Sequence, residues 1–179
     1  MSNVTETSED VHAASTYRLM GMGFAALRIF FGLVWLSNGL AKAFNSQNFD
    51  LGFFSFTLLS RDGAKGIAAN AASKTQIGPL GTFFQDVVVA NWGFFGIFQT
   101  VIELAIAIGL LFGIATRLAA VGGLLVLTPI WLMLWHTNLY LWEYPLDLFP
   151  LLLLAIVPAG RVFGADRSLA ARFRGRWPF

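Results

Sequence analysis

The stretch GFFGIFQTVIELAIAIGLLFGI, residues 93–114, decides the fold. It holds a single charged side chain, Glu103. As a helix rising 1.5 Å per residue it would cover about 33 Å, the thickness of a bilayer's hydrocarbon core. Ala115-Thr116-Arg117 then reads as a tight turn. LAAVGGLLVLTPIWLMLWHTN (118–138) forms a second apolar run back, with Pro129 as an expected kink.

Working outward, a span of the same kind is expected from Gly21 to Phe44 and another from Tyr144 to Phe163. Pro145 suits a helix start, while Pro150 and Pro158 should bend or end the helix. The fold class expected is therefore all-α, an integral membrane four-helix bundle over residues 18–165. A polar flexible arm (1–17) precedes it and an Arg-rich tail (166–179) follows. A cleaved signal ending at Ala41-Lys42-Ala43 is not expected, because the apolar run before it is too long and no basic segment leads it.

Composition agrees. Hydrophobic residues make up 56% of the chain and charged residues 12%, with a mean hydropathy of +0.66, too little charge to cover a soluble domain of 179 residues. The absence of cysteine excludes disulfides, thiolate metal sites and thiol catalysis by this chain. The net charge of +2 is concentrated near the C-terminus, which is juxtamembrane charge and no nucleic-acid footprint.

The segment 45–92 is expected to be a long loop. Asp50, Arg61, Asp62, Lys65, Lys74 and Asp86 keep it from being buried in lipid throughout. Its apolar pieces, Leu51–Leu59 and Thr82–Trp92, are expected as short interfacial helices on the outer membrane face. Arg18, Arg117, Arg161, Arg167, Arg172, Arg174 and Arg176 gather on the opposite side, so the positive-inside rule makes that side, with both termini, cytoplasmic. The location expected is the plasma (inner) membrane, crossed several times.

Ionisable residues inside spans are costly, and so are the candidate functional positions. Arg28 and Glu103 are expected to pair, either as a structural ion pair or as a proton or substrate relay, with Arg117 as a rival partner for Glu103. Gln99 lies one turn from Glu103 on the same helix face. Arg28, Gly32, Trp35, Gly39 and Lys42 form one stripe with Asn38 alongside, read as a helix contact or as the edge of a polar channel. Near the outer interface, Lys42, His136, Tyr140, Trp142, Glu143 and Asp147 are expected together. A cation, an imidazole and two carboxylates among aromatics suit a quinone headgroup or a small anion, whereas an ordinary interfacial belt explains each residue singly. The candidates are thus Glu103, His136, Glu143 and Asp147 for proton chemistry, and Arg28, Lys42, Gln99 and Trp142 for binding. One histidine in a span cannot give bis-histidine haem ligation, so no metal or haem is expected on this chain alone.

Three stretches carry a resemblance: LRIFFGLVW (27–35) leading to GLAK (39–42), FFQDVVVANWGFFG (83–96), and ELAIAIGLLFGIATRLA (103–119). Together they resemble the DoxX/DoxD family of small four-helix membrane proteins. The long loop after the first span is more similar to the DoxD branch, the membrane subunit of thiosulfate:quinone oxidoreductase. Arg28, Lys42, Glu103 and Arg117 match that pattern. The resemblance implies quinone-linked electron transfer, with thiosulfate oxidation at the outer face, in the company of other membrane subunits and the lipid bilayer. Two further readings stay open. One is a non-catalytic accessory subunit of a larger respiratory or photosynthetic complex; the other is a small-solute carrier, which an inverted repeat would have supported.

Overall fold

The computed structural model describes residues 8–179, with side chains from residue 12. The chain is mostly helical: α1 (Ser8–Phe44), a hairpin of β1 (Asn48–Asp50) and β2 (Ser55–Thr57), α2 (Arg61–Lys74), α3 (Gly78–Phe83), α4 (Trp92–Phe112), α5 (Thr116–Leu134), α6 (Pro145–Ile156) and α7 (Asp166–Arg172). One π-helical turn, Phe84–Val89, joins α3 toward α4, and a 3₁₀ turn, Ala159–Arg161, follows α6.

Among the described residues, three helices are long and apolar enough to cross a membrane: α1 over His12–Phe44, α4 and α5. The expected fourth span differs. Its helix is only the 12 residues Pro145–Ile156, about 18 Å long. Pro158 forces Val157 out of helical geometry and the chain continues irregularly to Ala165. The flexible arm also differs, being helical from Ser8 and continuous with α1; its residues 1–7 lie outside the described residues.

The segment 45–92 departs most from expectation. Leu51–Leu59 is no helix: Asn48 pairs with Thr57, Phe49 with Phe56 and Asp50 with Ser55 in an antiparallel ladder. Gly52, at φ 81°, turns the hairpin, and bulky aromatics favour strand geometry there. Arg61–Lys74 is helical instead, started by Ser60, whose hydroxyl accepts from the Gly63 N–H at 3.1 Å. Its alanine face (Ala64, Ala68, Ala71) is buried against Trp92, Met133 and Leu134. Thr82–Trp92 is helical in part, divided between the end of α3, the π turn and the start of α4.

α1 runs antiparallel to α4 with no room between them. A Cβ on Gly32 would sit 2.8 Å from Leu111, and one on Gly39 would sit 2.8 Å from Leu104. The whole stripe Arg28, Gly32, Trp35, Gly39 and Lys42 is buried, as a helix-contact face requires. The core is Phe31 and Trp35 of α1, Ile106 and Leu110 of α4, Ala120 of α5, and Leu151 and Leu154 of α6. The outward faces of α1, α4 and α5 expose Phe30, Leu33, Phe94, Ile97, Val101, Leu118 and Leu125, the pattern of helices whose solvent is lipid.

Candidate functional site

Glu103 is buried in the middle of α4, and a partner must neutralise it there. Lys42 supplies the charge, with Nζ 2.8 Å from Glu103 Oε2. Oε2 has no aligned hydrogen-bond donor, so that contact is ionic. The other oxygen, Oε1, accepts from Gln99 Nε2 at 2.9 Å, one helical turn away. Lys42, placed by the sequence near the outer interface, is instead nearly inaccessible at 1% exposure.

The expected Arg28–Glu103 pair does not form. The register that sets Gly39 on Leu104 and Gly32 on Leu111 carries Arg28 past the end of α4, about 18 Å along α1 from the level of Glu103. The expectation failed because it levelled the start of the first span with the end of α4, whereas α1 overshoots that end. Arg28 serves backbone oxygens there: Nη1 donates to the Leu110 and Leu111 carbonyls at 2.5 and 3.1 Å, and Nη2 to Phe163 at 3.0 Å and Val162 at 3.5 Å. These are carbonyls that a helix end and an irregular segment leave without partners. Arg117 is not the rival partner either, since its Nη2 donates to the Ile156 carbonyl at 2.7 Å.

Beside the ion pair lies a cavity of about 230 Å³ lined by Val34, Trp35, Asn38, Lys42, Leu59, Glu103, Leu127, Tyr144 and Asp147. A smaller one of about 110 Å³ adjoins it on the α2 side and shares Leu59, Glu103, Leu127 and Tyr144, with Gln99 on its wall. Glu103 therefore stands between two spaces, with Lys42 on one side and Gln99 on the other.

The outer group expected from the sequence is divided. Asp147, in the first turn of α6, faces the cavity with Lys42. His136, Trp142 and Glu143 do not line it. His136 Nε2 lies 2.9 Å from the Lys74 carbonyl at the last turn of α2, joining the ends of α2 and α5. Trp142 stacks on Tyr140, ring centroids 4.8 Å apart, on the exposed turn before α6. Glu143 is half-buried in that same turn.

Two polar cavity residues, Tyr144 and Asn38, were absent from the sequence candidates. Tyr144 sits at φ 59°, ψ −47° before Pro145. A bulky residue there holds strain on the order of 1–3 kcal/mol, the kind retained where a site needs it. Asn38 accepts the Leu59 N–H at 3.2 Å and so pins the chain entering α2 against α1. Its place beside the α1 stripe was the only sequence signal; Tyr144 had none beyond its neighbours.

Chemically, the site offers apolar walls (Val34, Trp35, Leu127), an ammonium, an amide, a phenol and two carboxylates. These fit a small neutral, flat molecule with hydrogen-bond acceptors, and they can exchange protons with it. The charges of Lys42, Glu103 and Asp147 total −1 when all are ionised, which disfavours a free anion in the cavity. Among the described residues, no three His, Asp or Glu side chains gather as a metal site would need. Comparisons with protein-family models, curated proteins and solved structures returned no match.

Proposed function

We propose that this chain is a multi-pass plasma-membrane protein, both ends cytoplasmic, that binds a quinone headgroup beside the Lys42–Glu103 pair as part of a quinone-linked electron-transfer system. The observation that carries this reading is a buried ion pair opening on a headgroup-sized cavity among apolar helices. A cavity of about 230 Å³ is smaller than the roughly 300 Å³ at which drug-sized sites begin; it suits one ring, with the isoprenoid tail left in lipid. In this reading α6 and the irregular segment after it complete a fourth crossing, and the α2 end of the molecule faces outward.

Quinone reduction takes two electrons and two protons. In this reading Lys42 and Tyr144 donate hydrogen bonds to a carbonyl oxygen, and Glu103 and Asp147 relay the protons; their shared lining of one cavity supports it. The resemblance to the DoxD branch supplies the donor: two thiosulfate dianions joined by a new S–S bond release the two electrons. The negative balance of the cavity disfavours thiosulfate inside it and supports a site at the outer end of α2, where Lys74 lies. The test is anaerobic quinone reduction by the chain in lipid nanodiscs with thiosulfate as donor. Reduction that needs thiosulfate and falls in Asp147→Asn supports the reading; a folded, quinone-loaded sample that reduces nothing contradicts it.

The second reading, an accessory subunit of a larger redox complex, draws on a different surface. An apolar groove between α4 and α5, floored by Ala105, Gly109, Ala119 and Gly122, has the small residues that let another membrane helix approach closely. Fixed-stoichiometry co-purification with other membrane subunits in mild detergent would favour it.

A further inference from the structure

α4 and α5 define one slab. They are 21 and 19 residues long, joined by a tight turn, about 32 and 28 Å. α1 does not reach the α2 end of that slab. With Gly39 level with Leu104, Phe44 comes level with about residue 99, seven residues short of Trp92, or about 10 Å. The hairpin thus starts below the end of α4. The chain then goes deeper, because the Leu59 N–H is held by Asn38, six residues inside the end of α1. From there α2 climbs back until the Lys74 carbonyl meets His136 beyond the end of α5.

This path needs its buried backbone satisfied, since lipid offers no hydrogen bonds. Leu58 N–H donates to the Gln47 carbonyl at 2.7 Å and Leu51 N–H to the Phe54 carbonyl at 2.9 Å. Gln47 Nε2 donates to Ser60 Oγ at 3.1 Å, and that oxygen also caps α2. The only charge between Phe44 and Ser60 is Asp50, whose carboxylate accepts the Gly52 N–H at 2.7 Å. The large side chains that the segment exposes are apolar: Phe53 is 90% and Leu51 55% exposed, with Phe49, Phe54 and Phe56 exposed beside them, among exposed Asn48, Asp50, Ser55 and Thr57. Leu40 and Phe44 of α1 and Phe94, Ile97 and Phe98 of α4 are exposed as well.

We propose that residues 45–74 form a re-entrant element of the outer leaflet, with the aromatic hairpin lodged in lipid at the boundary of headgroups and acyl chains. The depth of the hairpin's root and its five exposed apolar side chains, with Asp50 as the single charge, select lipid at the headgroup boundary as the occupant over a protein partner. The loop expected to lie on the outer surface becomes part of the wall of the cavity, with Leu59 as its deepest residue.

The chain has no cysteine, so Phe53→Cys gives a single attachment point for a nitroxide on a side chain that packs against nothing. The labelled protein in phosphatidylcholine/phosphatidylglycerol nanodiscs is read by collision with oxygen, which concentrates in lipid, and with a water-soluble nickel chelate. Ser73→Cys, on the polar cleft of α2, is the water-facing reference. The expected result is an oxygen-to-nickel ratio several times higher at residue 53 than at residue 73. A nickel-dominated signal at 53 would put the hairpin in water and overturn the proposal. An immobilised label reached by neither reagent would overturn it too, showing that a protein surface, such as a second copy, covers the hairpin.

Discussion

Lys42 Nζ sits 2.8 Å from Glu103 Oε2, both side chains almost wholly withdrawn from the surface. This pair, and no other ion pair among the described residues, holds the charge in the centre of α4. Removing either partner strands the other, at a cost of about 3–5 kcal/mol. Lys42→Met and Glu103→Gln should each destabilise the protein by about that much, and the double variant should recover most of the loss. Unfolding of the three variants by denaturant titration in detergent, each against wild type, measures it. A double variant as unstable as the sum of the singles would exclude the pairing.

Arg28 acts independently of that pair. It holds the Leu110, Leu111, Val162 and Phe163 carbonyls, and a carbonyl left buried without a donor costs about 1–3 kcal/mol. Arg28→Met should therefore cost about 2–5 kcal/mol, and Arg28→Lys most of that, because an ammonium lacks the planar fork that spans two chain segments. Combined with Glu103→Gln, its effect should add to within about 0.5 kcal/mol, as for separate sites. A strong recovery in that double variant would restore the Arg28–Glu103 pairing that the register forbids.

Gly113 ends α4 at φ 64°, and a Cβ there would sit 2.7 Å from Arg28 Nη1. Conformation and space both demand glycine. Gly113→Ala should lose more than about 1 kcal/mol, whereas Gly93→Ala, whose Cβ would meet nothing within 4 Å, should be neutral or slightly stabilising by helix propensity. Equal effects in thermal unfolding of the two would remove this account of the turn.

Asp166 caps a helix that is not its own. Its two carboxylate oxygens accept the Ala115 and Thr116 N–H groups at 2.7 and 2.9 Å at the start of α5, while its own N–H donates to the Gly113 carbonyl at 2.7 Å. Asp166→Ala should cost about 1–2 kcal/mol and Asp166→Asn less. Hydrogen exchange should show the loss first in the amides of the α4–α5 turn. Protection unchanged at Ala115 and Thr116 would show that the carboxylate is dispensable there.

The long apolar runs made α1, α4 and α5 legible, because helices of about 20 apolar residues leave a composition signal that needs no tertiary information. The 3.6-residue spacing likewise marked the buried α1 stripe and the Gln99–Glu103 contact. What could not be read was register. Sequence gives the depth of a charge only relative to assumed helix ends, and α1 overshoots α4 at one end while stopping short at the other. Lys42 consequently holds the place beside Glu103 that was expected of Arg28. Asp166 lay some 50 residues from the turn it caps and left no local pattern. The Phe-rich segment 51–59 was too short for periodicity to separate hairpin from helix.

The central claim is that the cavity beside Lys42 and Glu103 takes a quinone ring, and a binding titration tests it most directly. A short-tailed quinone is titrated into the chain in nanodiscs and read by quenching of tryptophan fluorescence, since Trp35 lines the cavity. Wild type is compared with Val34→Trp, which fills the space, and with Val87→Trp on the π turn outside it, each shown to be folded by circular dichroism. The account predicts saturable one-site binding in wild type and Val87→Trp, weakened at least about tenfold, or 1.4 kcal/mol, in Val34→Trp. Binding of equal strength in all three, or quenching that never saturates, would contradict it.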